Sequence, residues 1–435
     1  MWTQKPDIVW FRIDSLRPEF LSAFGNEVGS TFLDELVKKG TSFTQCISAA
    51  PYTIASENAT FTGFYPSVNK LDAWFKNSPG NLDRKVITFT DILKAEGYFT
   101  CCFYPLVARP YIAPYSFDIY EMGPRRHLIN INSRLLERYL SAASPKFLIL
   151  NFFEIHDDCC ANRGTYTKEK YHKSVLKVSE QVEHFYDKCC NEDALVVVSA
   201  DHGVRVVDEL SGAHHKDELV TGSYLTDKTI KTFFTVIARD KIPQGIEIKK
   251  MVRTIDIAPT ILDAAGLAAM KAQGVSLLPY ITKPEQTPEL YAFSTTGGMF
   301  TSPWKPDTWS VRTPKWKMVV TKTRKHFFTN TSYKRELYNL EEDPYELENK
   351  IEEFPGVASE LFIKIESVLL KNIKSVNDYY KESNFDQKKY LHRRFYPIEM
   401  RIKMIFYTLI NYKLTSRLRT QFSILKSKIK RLVLK

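Results

Sequence analysis

Polar residues that follow apolar runs are the first candidates for chemistry in this sequence. Asp14 follows "DIVWFRI", His156 ends "KFLILNFFEIH", and Asp201 and His202 follow "ALVVVSA". Carboxylates and imidazoles are ligands for divalent cations such as Mn, Zn, Mg or Ca. The sequence therefore predicts one divalent cation held by Asp14, Asp201 and His202, and it leaves a second cation open.

Thr53 is the candidate for the reacting hydroxyl. It lies in "SAAPYTIASENATFTGFYP", where Pro51 favours a loop and residues 56–61 could begin a helix. A bound cation lowers the pKa of a coordinated hydroxyl, and a helix N-terminus attracts an anion. We therefore predict that Thr53 is both a ligand of the cation and a nucleophile toward a phosphoryl or sulfuryl group.

Each of these residues alone has a simpler interpretation. An Asp after a strand commonly caps a helix or forms a turn, and a Thr before a helix is most often a cap. A single His is more often structural than catalytic. The order of these residues along the predicted elements is what favours catalysis.

Alternating strand and helix patterns predict the frame that positions the candidates. Residues 7–13, 146–156 and 194–203 are typical of strands buried on both faces, and helical patterns separate them. This order predicts an α/β fold with a mostly parallel sheet, in which ligands bind at the carboxyl ends of the strands. The four polar residues that end these strands would therefore meet at one edge.

The chain divides into three predicted regions. Residues 1–289 form the catalytic α/β domain. From about residue 290, aromatic and Thr-rich alternation predicts a smaller subdomain, 290–380, with an antiparallel sheet and a helix around 356–371. Residues 381–435 form a basic, partly amphipathic helical tail.

Nearly all of the net charge of +11 comes from the C-terminal residues of the sequence. Residues 401–435 hold ten Lys or Arg and no acidic residue, so 11 minus 10 leaves +1 for residues 1–400. The tail's apolar residues recur at helical spacing, which favours either contact with an anionic membrane surface or packing on the body. No stacking or groove-reading motif accompanies the charge, so no nucleic-acid partner is expected.

The cysteines and the apolar runs bear on location. Seven cysteines, with three adjacent pairs, are untypical of a disulfide framework and favour buried thiols in a reducing compartment. No apolar run reaches about 18 residues, and no signal-peptide pattern opens the chain. We expect a cytoplasmic protein, peripheral to the inner face of the membrane if the tail docks there. The oligomeric state is open.

Eight ordered segments, spread from about residue 7 to 371, carry a family resemblance. They are "DIVWFRIDSLRPEFLSAFGN", "TFLDELVKKGTSFTQCISAAPYTIASENATFTGFYPS", "NFFEIHDD", "ALVVVSADHG", "GAHHKDEL", "VRTIDIAPTILDAAGL", "WKMVV" and "ELYNLEEDPYELEN". Together they resemble the sulfatase-like branch of the alkaline phosphatase superfamily. The resemblance implies an alkaline-phosphatase-like sandwich: a large, mostly parallel central sheet flanked by helices, plus a smaller C-terminal antiparallel sheet.

The same resemblance implies roles for four further residues. His156 falls where the family places a substrate-binding His, which implies anion binding or general-acid catalysis. One of His214 and His215 falls where a Lys or His contacts the substrate. Arg312, in "SVRTPKW", aligns with a common family Arg, and a packing role for it is equally open.

The departures from the family decide the predicted chemistry. Sulfatases carry C/S-x-P-S-R, whose first residue is modified to formylglycine, whereas this chain has "TIASE" at residues 53–57. Threonine is not modified in that way, Glu57 replaces the supporting Arg, and Ser15 replaces a second metal-binding Asp. Ser56 is an alternative hydroxyl, but it occupies the motif's fourth position. Related phosphoethanolamine and glycerol-phosphate transferases and nucleotide phosphodiesterases use an unmodified Thr.

The sequence thus predicts a metal-dependent hydrolase or transferase that acts on a phosphate ester through Thr53. The reaction would cleave a phosphodiester or transfer a phosphoryl substituent of a small-molecule, glycan or lipid ester. One alternative is a sulfatase acting on a sulfated sugar or aryl ester. An alternative of another class is a non-catalytic protein that binds anionic glycans or lipids.

Overall fold

The structure is a computed structural model that describes part of the chain. The described residues are 2, 4–25, 30–69, 86–104, 116–122, 133–162, 165–207, 224–296, 308–324 and 331–381. His214, His215 and residues 401–435 lie outside them. Their predicted roles in substrate binding and at a membrane surface therefore stay predictions.

The described residues form strands and helices in alternation. The strands are β1 Ile8–Ile13, β2 Thr41–Ile47, β3 Phe99–Tyr104, β4 Ile119–Met122, β5 Lys146–Phe152, β6 Leu195–Ala200, β7 Lys231–Ile237, β8 Ile246–Ile248, β9 Val252–Arg253, β10 Ala292–Thr296, β11 Thr308–Arg312, β12 Trp316–Arg324 and β13 Thr331–Asn339. The α-helices are α1 Phe32–Lys38, α2 Thr53–Thr62, α3 Pro66–Asn69, α4 Phe89–Ala95, α5 Ser133–Leu140, α6 Glu154–Ala161, α7 Lys168–Cys189, α8 Asp227–Ile230, α9 Ile257–Ala264, α10 Leu278–Thr282 and α11 Pro355–Lys381. Short 3-10 helices span Pro18–Phe20, Ser22–Phe24, Thr254–Asp256 and Pro284–Gln286.

A large central sheet confirms the predicted α/β class. Across the described residues its strand order is β4-β3-β5-β1-β6-β7-β2-β8, with β9 also paired to β2. Strand β7 runs antiparallel to its neighbours β6 and β2, and the other pairs are parallel. Strand β1 lies between β5 and β6, so its carboxyl end lies in the middle of the sheet edge.

Strand β1 is buried on both faces, as its apolar run predicts. All six residues are buried. Ile8 and Trp10 pack with helix α2 in one apolar cluster, whereas Val9, Phe11 and Ile13 pack with helix α7 in another. Side chains alternate between the two faces of a strand, so Arg12 and the following Asp14 continue the face of β1 that meets α2.

A second, antiparallel sheet confirms the other part of the predicted fold. Its described strands pair in the order β10-β11-β12-β13, and α11 packs against it. Ser294 Oγ donates to the carbonyl of Ser48 at 2.6 Å, and Thr295 N donates to the carbonyl of Ala49 at 3.0 Å. These bonds join the second sheet to the loop that leads into α2. The proposed domain boundaries stay predictions.

The cysteines are free thiols, and five of the seven are buried. Burial raises the pKa of the Cys101 thiol to about 12, so it is protonated at neutral pH. Within the described residues, no helix combines the length and the apolar character that crossing a bilayer requires.

Candidate active site

Strand β1 and helix α2 make three evenly spaced side-chain contacts, which we call the matched register. The last of these contacts brings Thr53, the candidate nucleophile, to Asp14, a candidate metal ligand. Trp10 stacks on Phe61 with ring centroids 5.5 Å apart. The next pair is Arg12 with Glu57, and the third is Asp14 with Thr53.

The register follows from the repeats of the two elements. Each step moves two residues along β1 and four residues back along α2. Two strand residues rise roughly 6.6 Å and four helix residues roughly 6 Å, so successive contacts stay in step.

Thr53 is the first residue of α2. The sequence predicted a helix start at residue 56, but the helix begins at Thr53, and Ser56 N already bonds to the carbonyl of Tyr52 at 3.1 Å. Tyr52 supplies no side-chain cap. The hydroxyl of Thr53 therefore lies at the positive end of a ten-residue helix, where an anionic group is stabilised.

Asp14, Asp201 and His202 form the predicted ligand group. Their ligand atoms lie within 4.8 Å of one another, and all three residues are buried. Thr53 Oγ1 donates to Asp14 Oδ2 at 2.9 Å and lies 3.2 Å from His202 Nε2. His202 Nδ1 lies 2.8 Å from the carbonyl of Gly203. Because a carbonyl only accepts, Nδ1 carries the proton and Nε2 turns its lone pair toward the group.

Asp201 carries the clearest sign that a cation fits here. Its Oδ1 accepts from the backbone N–H groups of Ser15 at 3.1 Å and His202 at 2.8 Å. Its Oδ2 is buried and has no hydrogen-bond partner among the described residues. Burial, followed by repulsion from Asp14, raises the pKa of Asp201. A divalent cation would satisfy the free oxygen and relieve the repulsion between two buried carboxylates.

Ser15 holds the two carboxylates in place. Its φ of 67° is left-handed, which costs a non-glycine residue about 1–2 kcal/mol. In this conformation its N–H meets Asp201, and its Oγ donates to Asp14 Oδ1 at 2.7 Å. The Tyr171 hydroxyl fixes the Ser15 carbonyl at 2.6 Å. From the sequence, Ser15 was noted only because it replaces a second metal-binding Asp. A serine at this position does not by itself indicate a left-handed backbone.

The sequence predicted that the strand would run to His156. Strand β5 instead ends at Phe152, and His156 lies in the first turn of helix α6. Desolvation opposes protonation of its ring, but attraction to the Asp14 carboxylate, aided by Cys160, raises its pKa well above the usual value. For Asp14, burial opposes ionisation, but attraction to His156 and the hydrogen bond from Ser15 help to lower the pKa. His156 Nδ1 lies 3.4 Å from Asp157 Oδ1, and Nε2 lies 3.6 Å from Cys160 Sγ. The raised pKa of His156 favours a protonated ring.

The hydroxyl of Ser56 is engaged in hydrogen bonds away from the ligand group, so it is not positioned as a nucleophile. Its Oγ donates to the carbonyl of Asp201 at 2.6 Å and pairs with Ser48 Oγ at 2.8 Å. These bonds fasten α2 to the end of β6. Thr53 is therefore the hydroxyl of this motif that meets the ligand group.

Arg312 belongs to a separate buried cluster. Its Nη2 lies 2.8 Å from Asp227, and Lys317 Nζ lies 3.1 Å from Asp227 and 2.7 Å from Glu346. Arg312 also lines a cavity of about 310 Å³, together with Lys231. The contacts describe packing, which the sequence left open, and a role in substrate binding stays a prediction.

Two matches to family models agree with this geometry. Residues 6–116 match the sulfatase family, and residues 221–375 match the C-terminal region of N-sulphoglucosamine sulphohydrolase.

One curated relative, an ulvan-active sulfatase of Formosa agariphila, is 23% identical over 299 residues. The alignment covers 61% of this chain and 55% of that protein, so the chain spans about half the length of this relative.

Solved structures show the same fold. The phosphonate monoester hydrolase of Agrobacterium radiobacter has a TM-score of 0.65 at 15% identity, covering 85% of this chain and 96% of that one. A structure in complex with its substrate D-glucosamine-2-N,6-O-disulfate has a TM-score of 0.64 at 14% identity, covering 86% and 99%. The family matches and the shared fold identify the chain as a member of the sulfatase-like branch of the alkaline phosphatase superfamily.

Proposed function

We propose that this protein is a metal-dependent hydrolase or transferase that acts on a phosphate ester through Thr53. The observation that carries the proposal is the position of Thr53 Oγ1, at the N-terminus of α2 and bonded to Asp14 Oδ2. A nucleophile needs an acceptor for its proton and stabilisation of the charge that develops on the group it attacks. The ligand group and the helix terminus supply both.

Bond formation at Thr53 Oγ1 would accompany cleavage of the bond from phosphorus to the leaving oxygen, which keeps the electron pair. The Thr53 hydroxyl donates to Asp14 Oδ2, which would accept its proton. His156, whose pKa is raised, would give a proton to the leaving oxygen. Water or an acceptor alcohol would then attack phosphorus and give its proton to His156, while Thr53 Oγ1 leaves and takes back the proton held by Asp14.

Asp14, Asp201, His202 and Thr53 would hold the cation. A bound divalent ion would lower the pKa of the Thr53 hydroxyl and stabilise negative charge on the phosphoryl oxygens. Mn, Zn, Ca and Mg all suit this mixture of oxygen and nitrogen donors.

A sulfatase is the second candidate, and the comparisons favour it. The family models and the curated relative are those of sulfatases. The residue at the reacting position argues against a sulfatase. The sulfatase motif has a Cys or Ser there that is modified to formylglycine, whereas this chain has Thr53. The substrate complex among the similar folds holds a sulfated sugar. A glycan or other small ester is therefore the proposed substrate class for either reaction.

A purely binding function is the third candidate. It has no use for a nucleophile bonded to a buried ligand group. Burying Asp14 and Asp201 together is unfavourable without a cation, so their retention argues for metal-dependent chemistry.

The first prediction separates the two reactions. Wild-type protein, assayed with Mn, Zn, Ca or Mg in turn, should cleave phosphate mono- or diesters much faster than the matching sulfate esters. Release of the same chromophore from paired aryl phosphates and aryl sulfates measures the preference directly. Faster sulfate release would make the protein a sulfatase, and no release from any ester would favour the binding function.

A second prediction concerns the nucleophile. Thr53→Ala should abolish turnover and leave the cation bound, since the other three ligands remain. Thr53→Ser should keep part of the activity because it keeps the hydroxyl. Ser56→Ala is the matched control and should be milder. Turnover of Thr53→Ala at the wild-type rate would show that water attacks directly.

The third prediction concerns Asp201. Asp201→Asn keeps an oxygen for the N–H groups of Ser15 and His202 but removes the buried charge. It should lose metal binding and activity, yet in EDTA it should unfold at a higher temperature than wild type, because the repulsion with Asp14 is gone. Calorimetric titration and thermal melts measure both effects. Full metal occupancy in this variant would refute the assigned ligand.

A further inference from the structure

A buried ion pair lies one helical turn behind Thr53. Arg12 of β1 contacts Glu57 of α2, and the two side chains are 2% and 0% exposed. Tyr104 joins both partners: its hydroxyl accepts from Arg12 Nη2 at 3.0 Å and donates to Glu57 Oε1. A buried cation and a buried carboxylate therefore pair at the interface between the strand and the helix, while Arg12 Nε and Glu57 Oε2 have no hydrogen-bond partner among the described residues.

The pair occupies the middle of the matched register between β1 and α2. Glu57 is four residues after Thr53 on the same helical face, and Arg12 is two residues before Asp14 on the same strand face. The outer contact, Trp10 with Phe61, is apolar and sets no fixed distance along the helix. A charged, hydrogen-bonded contact is directional, so together with the Ser56 bond to the Asp201 carbonyl it fixes how far α2 extends toward the sheet edge.

The nucleophile and the metal ligands depend on different elements. Asp14, Asp201 and His202 follow strands of the sheet, whereas Thr53 is carried by α2. A helix that slipped along β1 would move Thr53 Oγ1 away from Asp14 Oδ2 without moving the ligands relative to one another. We propose that Arg12, Glu57 and Tyr104 are positioning residues that hold Thr53 Oγ1 at the ligand group.

The test replaces both charges at once, because a single change leaves an unpaired buried charge. In Arg12→Met/Glu57→Met, kcat should fall about 100-fold, the size expected for a nucleophile displaced by about 1 Å. Mn²⁺ should still bind through Asp14, Asp201 and His202, with an affinity like that of Thr53→Ala, and the KM should stay near the wild-type value. This kinetic readout rests on the proposed function, so it requires that wild type turns over an ester.

A matched control removes a buried ion pair elsewhere. Lys317→Met/Glu346→Met eliminates a pair that is 0% and 3% exposed, between β12 and the turn after β13, and Asp227 keeps its pair with Arg312. Its kcat should stay at the wild-type value. If the Arg12/Glu57 double variant folds, binds Mn²⁺ and has the kcat of this control, the pair has no positioning role and the inference is overturned.

Two further readouts cover the remaining outcomes. If the double variant does not fold, Tyr104→Phe removes only the hydroxyl that joins the pair, and kcat should fall several-fold while Mn²⁺ stays bound through the three other ligands. An unchanged kcat there would also overturn the inference. If wild type cleaves no ester, the proposed function fails, but crystal structures still decide the positioning role. They should show Thr53 Oγ1 displaced from Asp14 in the double variant, and an undisplaced Thr53 would contradict it.

Discussion

The contact between β1 and α2 is the constraint on which the site depends. The repeat of a strand and the repeat of a helix differ, but two residues of one and four of the other advance by nearly the same distance. Three successive contacts therefore stay in register and end at Thr53 and Asp14. The apolar contact binds the helix to the sheet, and the chemical contact lies at the sheet edge, where a substrate can approach. The position of the nucleophile is thus a property of how one buried helix packs on one buried strand.

Burial sets the electrostatic character of the site. Asp14 and Asp201 are both buried and lie close together, which is unfavourable unless a cation lies between them. Burial opposes ionisation of Asp14, and attraction to His156, with a smaller contribution from Arg12, lowers its pKa. Asp201 Oδ2 has no hydrogen-bond partner among the described residues. The strained backbone of Ser15 adds to the energy stored here. Buried charge and backbone strain together are typical of a functional site. The packing of the rest of the fold offsets the unfavourable free energy of such a site.

Much of the fold followed from the sequence, because its signals are local. The apolar runs that became β1, β5 and β6 each ended close to a polar residue, so the sheet edge and the ligand group could be predicted from spacing alone. The start of α2 was predicted three residues late, because Tyr52 is not a capping residue and the helix is held by tertiary contacts. The pairing of Arg12 with Glu57 was missed. An Arg within an apolar strand needs a buried partner, but sequence distance does not say which acid supplies it.

Whether Thr53 takes up the transferred group is the central question. The most direct measurement is rapid-quench mass spectrometry of the wild-type protein during a single turnover of an ester that it cleaves. A phosphoryl group should appear on the peptide that contains Thr53 before product accumulates, and it should then decay as product is released. Product that forms while Thr53 stays unmodified at every time point, or an adduct on Ser56 instead, would contradict a covalent mechanism through Thr53.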